Sequence, residues 1–250
     1  MYRGFNLQLV APFQLDAGVM NGASLHNKNR NYIRQTLGNF ISPTGAVDGS
    51  KLREYWFPLL EADVFISHAH TDTKQAIALS GWLSEMGVTS FVDSSVWGYA
   101  ADLQKLIDND HCRNAGGYHY DYDLRNLSTA HVHMMLATAL SMMIDRTECI
   151  IFLNTPRSIS SSAAIDKTTS PWLYHELSIT KVIEKRSPAQ HRAKIEKGLF
   201  SLNEGRTFEY DVDLQHLEKV GASHLLRWQH EYNNDEFALD ILYDMVKKKA

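Results

Sequence analysis

Apolar positions along the chain fall into two kinds of run. Short unbroken runs at 63–67, 88–92 and 148–153 have no helical period and predict buried strands. Between the first two, Ala76, Leu79, Trp82, Leu83 and Met86 recur at three- and four-residue spacing. That stripe predicts a helix opening at Thr71 or Asp72, whose side-chain oxygen satisfies an orphan N–H, and stopping at Gly87. Strand, helix and strand make a βαβ unit, which pairs its strands in parallel.

A second stripe, Val132, Met135, Leu136, Ala139, Leu140, Met143 and Ile144, predicts a helix opened by Ser128. Ser170-Pro171 reads as N-cap and N1 of a helix running to about 185. Residues 93–101 read as a loop before a short helix at 102–107. Residues 109–126, rich in Gly, Tyr, Asp and Asn, read as an inserted loop. Its tyrosines suit a protein partner as well as a solvated surface, and its acids oppose phosphate contact.

The ends are less patterned. Residues 1–50 carry no clear period; 27–40 suggests one helix closed by Ser42-Pro43-Thr44-Gly45. Residues 1–59 are therefore expected to be an N-terminal extension on an α/β domain spanning 60–250, with its motifs in 60–185. Toward the C-terminus the pattern suggests a strand at 207–212, a short helix at 214–220 and a terminal helix at 236–249. The fold class expected is α/β, a parallel sheet with helices on both faces.

Composition narrows the function. A 250-residue chain that is 44% hydrophobic can bury a core, which excludes a disordered or fibrous protein. A net charge of −4 gives no support to nucleic-acid binding. Cys112 and Cys149 stand far apart, so neither a disulfide framework nor a zinc knuckle is indicated. The start lacks the unbroken apolar stretch of a signal peptide, and the apolar segment 132–144 falls short of the ~20 residues that span a bilayer. A cytoplasmic protein with no membrane role is expected.

Ligands of open parallel sheets bind beyond the carboxyl ends of the strands. Here those ends lead into 67–72, 93–99 and 154–176. Trp172 and Glu176, four residues apart, share a helix face. A carboxylate beside an indole suits an acid, a base or a cation stabiliser, although core packing for the one and solvation for the other is the commoner arrangement.

Four segments in order change this weighting: Asp63-Val64-Phe65-Ile66-Ser67-His68-Ala69-His70-Thr71-Asp72, then residues 83–93 ending in Phe91-Val92-Asp93, then 148–153, then Ser170-Pro171-Trp172 with Glu176. Together they resemble a TIR (Toll/interleukin-1 receptor) domain of the bacterial stand-alone, Thoeris-like kind, over about half the chain. The resemblance implies a flavodoxin-like sheet and, for the enzymatic branch, cleavage of the nicotinamide–ribose bond of NAD⁺ with Glu176 catalytic and ionised. It places Ser67 and His68 near the ribose and nicotinamide, Asp93 at the start of a loop over the nucleotide, and Trp97 and Trp172 as further substrate contacts. Arginines found after the first strand in some members are missing; Ala69 and His70 stand there.

The same resemblance implies NAD⁺ as substrate with no cofactor or metal, and self-association through TIR contacts. It also implies a role in antiphage defence through an ADP-ribose-derived or cyclic nucleotide that reaches a separate effector. A non-catalytic TIR adaptor is the alternative. A third reading takes His68-Ala69-His70-Thr71-Asp72 as the H-x-H-x-D turn of a metal-dependent hydrolase. That pattern wants a His where Thr73 stands. His131 and His133, two apart on a helix, diverge and make a poor metal pair.

Overall fold

The computed structural model describes residues 1–9, 40, 48–114, 116–159, 167–168, 170–192, 210–211, 217–232 and 236–246. Five strands make one sheet: β1 (Arg3–Gln8), β2 (Val64–Ser67), β3 (Ser90–Val92), β4 (Cys149–Asn154) and β7 (Glu218–Gly221). Their order is β3-β2-β4-β1-β7, and every pairing is parallel. A two-residue antiparallel ribbon, β5 (Lys167–Thr168) with β6 (Tyr210–Asp211), lies apart from it. The helices are α1 (Gly49–Trp56), α2 (Thr73–Glu85), α3 (Ser94–His111), α4 (Tyr122–Arg146), α5 (Pro171–Val182), α6 (Pro188–Arg192), α7 (Ala222–Glu231) and α8 (Ala238–Met245).

The α/β class with an all-parallel sheet agrees with the sequence. β4 is buried at five consecutive positions, as a strand covered on both faces must be. On one face Phe5, Leu7, Val64, Ile66 and Ile151 pack under α2, α7 and α8, with Trp82 against Trp228 edge to face at 5.3 Å between centroids. On the other, Phe65, Phe91 and Ile150 pack under α1, α3 and α4, and Phe152 under α5. Gly87, at φ 69°, closes α2 in the left-handed region as expected.

The N-terminal stretch departs from the sequence reading. Residues 3–8, taken there as part of an extension, form a strand inside the sheet between β4 and β7. Phe5 and Leu7 are fully buried on one face and Asn6 on the other, each apolar side chain contributing about 1.5–3 kcal/mol of burial. Arg3 is held at the strand's start by Glu218 and by the carbonyls of Tyr243 and Val246.

Three further expectations give way. Residues 94–101 are not a loop: they open α3, which runs unbroken to His111. α4 begins at Tyr122, not Ser128, with Asp121 as N-cap accepting from the N–H groups of Asp123 and Leu124 at 3.0 Å. The inserted loop thereby shrinks to a short turn closed by an Arg113–Tyr120 bridge. Residues 218–220, expected in a helix, belong to β7, because pairing with β1 satisfies their backbone.

The terminal helix is shorter than expected, Ala238–Met245, and α5 stops at Val182. The strand expected at 207–212 is described only at Tyr210–Asp211, and the helix expected at 27–40 lies outside the described residues apart from Phe40. α4 is long and apolar enough to cross a membrane by length and composition, and half of its most apolar window is buried inside the fold.

The position of β1 predicts that deleting residues 1–9 abolishes folding, since β4 and β7 lose their shared partner. Thermal unfolding followed by circular dichroism should show no cooperative transition for the truncated chain. A cooperative melt from a chain beginning at residue 60 would contradict this topology.

Candidate functional site

β2 and β3 run side by side in parallel, so the residues at their ends emerge at one edge of the sheet. Ser67 ends β2, His68 follows it, and Asp93 follows β3. Directly after β2 the chain enters a 3₁₀ turn, His70–Asp72, and then α2. α5 reaches the same edge from above. Its N-cap is Ser170, whose Oγ accepts from the Leu173 N–H, and Pro171 fixes the first turn. Leu173 and Leu177 pack with Phe152 and Ala69, and that packing sets Glu176, on the same buried face, against the end of β2.

Four polar side chains meet there, and each is 0% exposed: Ser67, His68, Asp93 and Glu176. The Ser67 hydroxyl donates to Glu176 Oε2 at 2.5 Å. The Glu176 and Asp93 carboxyls lie close enough to act on each other's charge, and both Asp93 oxygens and Glu176 Oε1 are buried without a hydrogen-bond partner among the described residues. His68 Nδ1 lies 2.6 Å from Asp93 Oδ1, an ion-pair distance without the alignment of a hydrogen bond. His68 Nε2 is 3.3 Å from Thr73 Oγ1.

Two carboxyls in contact and out of water cannot both be charged. Burial raises the pKa of Glu176 well above the usual carboxylate range, and the Asp93 charge raises it further against the Ser67 hydroxyl. Burial raises Asp93 too, but the Glu176 carboxyl and the N–H groups of Ser94 and His68 favour its charged form. Burial therefore pushes both carboxyls toward the protonated form, and the pair carries at most one negative charge. Burial pushes His68 down to about 4, overriding the pull of Glu176, so the imidazole is neutral at pH 7. The ionised Glu176 expected from sequence is thus not the form this closed arrangement favours.

Of the six residues singled out from sequence, Ser67, His68, Asp93 and Glu176 converge. Trp172 is half-buried at the start of α5 and meets the His133 ring edge to face at 5.6 Å. Trp97 falls in the first turns of α3, and its side chain lies outside the described residues. The H-x-H-x-D turn does not assemble: His68 faces Asp93, His70 is exposed, and Asp72 Oδ2 accepts from Thr155 Oγ1 at 2.7 Å. Among the described residues no group of three or more His, Cys, Asp and Glu side chains could hold a metal ion.

Thr73 and Thr155 escaped the sequence reading. Nothing in their local pattern marks them, since each acts through a partner distant in the fold or one turn away. Asp72 does precede α2 as expected, but its carboxylate is spent on Thr155 and makes no cap bond. Comparison with known family models, with curated proteins and with solved structures finds no match.

The raised carboxyl predicts a pH dependence with a fixed sign. A carboxyl that holds its proton more tightly when folded contributes stability fully below its unfolded value, about 4.5, and loses it as pH rises through the folded value. Glu176→Gln keeps the acceptor for Ser67 without a titrating proton. Denaturant titrations from pH 5 to 8 should show the variant gaining stability relative to wild type as pH rises. A constant difference across that range would contradict the buried, protonated carboxyl.

Proposed function

We propose that the chain is a TIR-type enzyme that breaks the nicotinamide–ribose bond of NAD⁺, with Glu176 as the catalytic carboxyl. The observation that carries this reading is the convergence of Ser67, His68, Asp93 and Glu176 at the carboxyl edge of β2 and β3, where open parallel sheets bind nucleotides. The all-parallel α/β sheet is compatible with the flavodoxin-like architecture that the resemblance implies.

The chemistry suits such a cluster. Nicotinamide leaves the ribose as a neutral ring, and positive charge develops on an oxocarbenium-like sugar, as in glycoside cleavage. A carboxylate aimed at that carbon stabilises the charge without a metal. Ser67 orients Glu176 by donating its hydroxyl to Oε2 at 2.5 Å. Capture by water gives ADP-ribose; capture by the adenine ring or by an outside nucleophile gives a cyclic or conjugated nucleotide. A signalling product that acts on a separate effector in antiphage defence completes the proposal, with a cytoplasmic location and self-association as further parts of it.

Full burial of all four side chains favours one second reading, a TIR adaptor whose polar cluster only holds the sheet edge to α5. An enzyme must uncover Glu176 to admit substrate, whereas an adaptor never does.

The two readings separate in one assay. Concentrated protein incubated with NAD⁺ should release nicotinamide, with the nucleotide product identified by mass. Glu176→Gln should lower the rate by about a hundredfold or more, the scale of a lost acid–base or charge-stabilising group. Equal release from wild type and variant would remove Glu176 from the reaction.

A further inference from the structure

α1 carries a buried cation that the fold leaves without a strong acceptor. Arg53 and Trp56, three positions apart, share one face of α1, which packs against α3 and α4. The Arg53 side chain is 8% exposed and Trp56 is 5% exposed. Among the described residues neither Arg53 Nε nor Trp56 Nε1 has a hydrogen-bond acceptor. Arg53 Nη1 donates to the Met142 thioether at 2.7 Å, a weak acceptor, and Nη2 donates to Glu54 Oε1 at 3.1 Å. Glu54 is the next residue along the chain and its side chain is 68% exposed, so water competes for that carboxylate.

These donors select a ligand class. A guanidinium keeps its charge in a protein, so a buried one cannot escape by losing its proton and needs an anion beside it. Its Nε–H and one Nη2–H lie parallel on a single edge, the edge that takes two oxygens of one oxyanion. Here an exposed carboxylate takes one of the two donors and the other is bare. A buried indole N–H normally finds an acceptor as well. Neighbouring carboxylates are already engaged, Asp48 with Lys51 and Asp145 with Arg186.

We propose that Arg53 and Trp56 form a binding site for a small oxyanion, a phosphate or carboxylate group that displaces Glu54 from the guanidinium. Nε and Nη2 hold two of its oxygens, and the Trp56 N–H adds a third donor from the same helix face. α1 leads into β2, and Met142 stands one turn before the end of α4, which leads into β4. The site therefore lies toward the amino edge of the sheet, opposite the edge that carries Ser67 and Glu176, and it stands independently of the NAD⁺ reading. Met142 is half-buried and Glu54 exposed, which gives an ion a short way in from solvent.

Thermal unfolding of the full chain tests the site, with inorganic phosphate exchanged for chloride at constant ionic strength and pH, and acetate in a parallel series. The midpoint should rise saturably with one ion or both, as it does when a ligand binds the folded state alone. A rise with phosphate alone assigns a phosphoryl group, and an equal rise with acetate assigns a carboxylate. Arg53→Lys keeps the charge without the paired donors and should weaken the apparent affinity about tenfold or more. Trp56→Phe keeps a ring and removes the donor, and should weaken it severalfold. Glu54→Gln changes only an exposed side chain, removes the competing charge and should tighten binding severalfold. No rise in either series, a rise that never saturates, or wild-type affinity in both Arg53→Lys and Glu54→Gln would overturn the site.

Discussion

Two carboxyl groups removed from water and placed in contact must share a proton, and the edge of this sheet is built around that constraint. Asp93 comes from the end of β3 and Glu176 from the second turn of α5, so their mutual burial couples a strand to a helix 83 residues away in sequence. Ser67 adds a donor from β2 and His68 fills the remaining side. Replacing any one member leaves a buried polar group without its partner, which costs more than the bond itself contributes. Such a cluster is poor value as simple cement, because apolar groups of the same volume would hold the edge at lower cost.

The rest of the fold delivers these groups to one place. Parallel strands put all their carboxyl ends on one edge, and the chain turns from β2 to β3 on one side before crossing to β4 on the other. β4 carries Phe152 beside Ser67, and Leu173 and Leu177 seat α5 on that ring. The apolar contacts therefore aim Glu176, and the polar contacts fix its charge. Loosening α5 would expose the carboxyl and lift the burial that favours its protonated form, which couples access to ionisation.

How far the sequence foretold this depends on what each element shows locally. β2 and β4 are legible because a strand buried on both faces leaves an unbroken apolar run. α5 is legible from Ser170-Pro171. β1 is not, because Arg3, Asn6 and Gln8 interrupt its apolar residues and both its strand partners lie more than 140 residues away. The first turns of α4 are exposed all round, so no stripe announces them before Ser128. β7 buries only Val220 of its four residues, too little for a period. Four site residues were legible from a resemblance spread over several segments. Their protonation was not, since it arises from mutual burial that only the assembled fold produces.

The central claim is that the sheet edge at β2, β3 and α5 receives NAD⁺ with its reacting ribose against Glu176. A crystal structure of Glu176→Gln grown with NAD⁺ tests it most directly, because the substitution keeps the side chain's shape and stops turnover. The account predicts intact dinucleotide with a ribose hydroxyl or C1′ next to position 176, and α5 or the start of α3 displaced to admit it. NAD⁺ bound elsewhere, or position 176 still sealed beneath a bound dinucleotide, would contradict it.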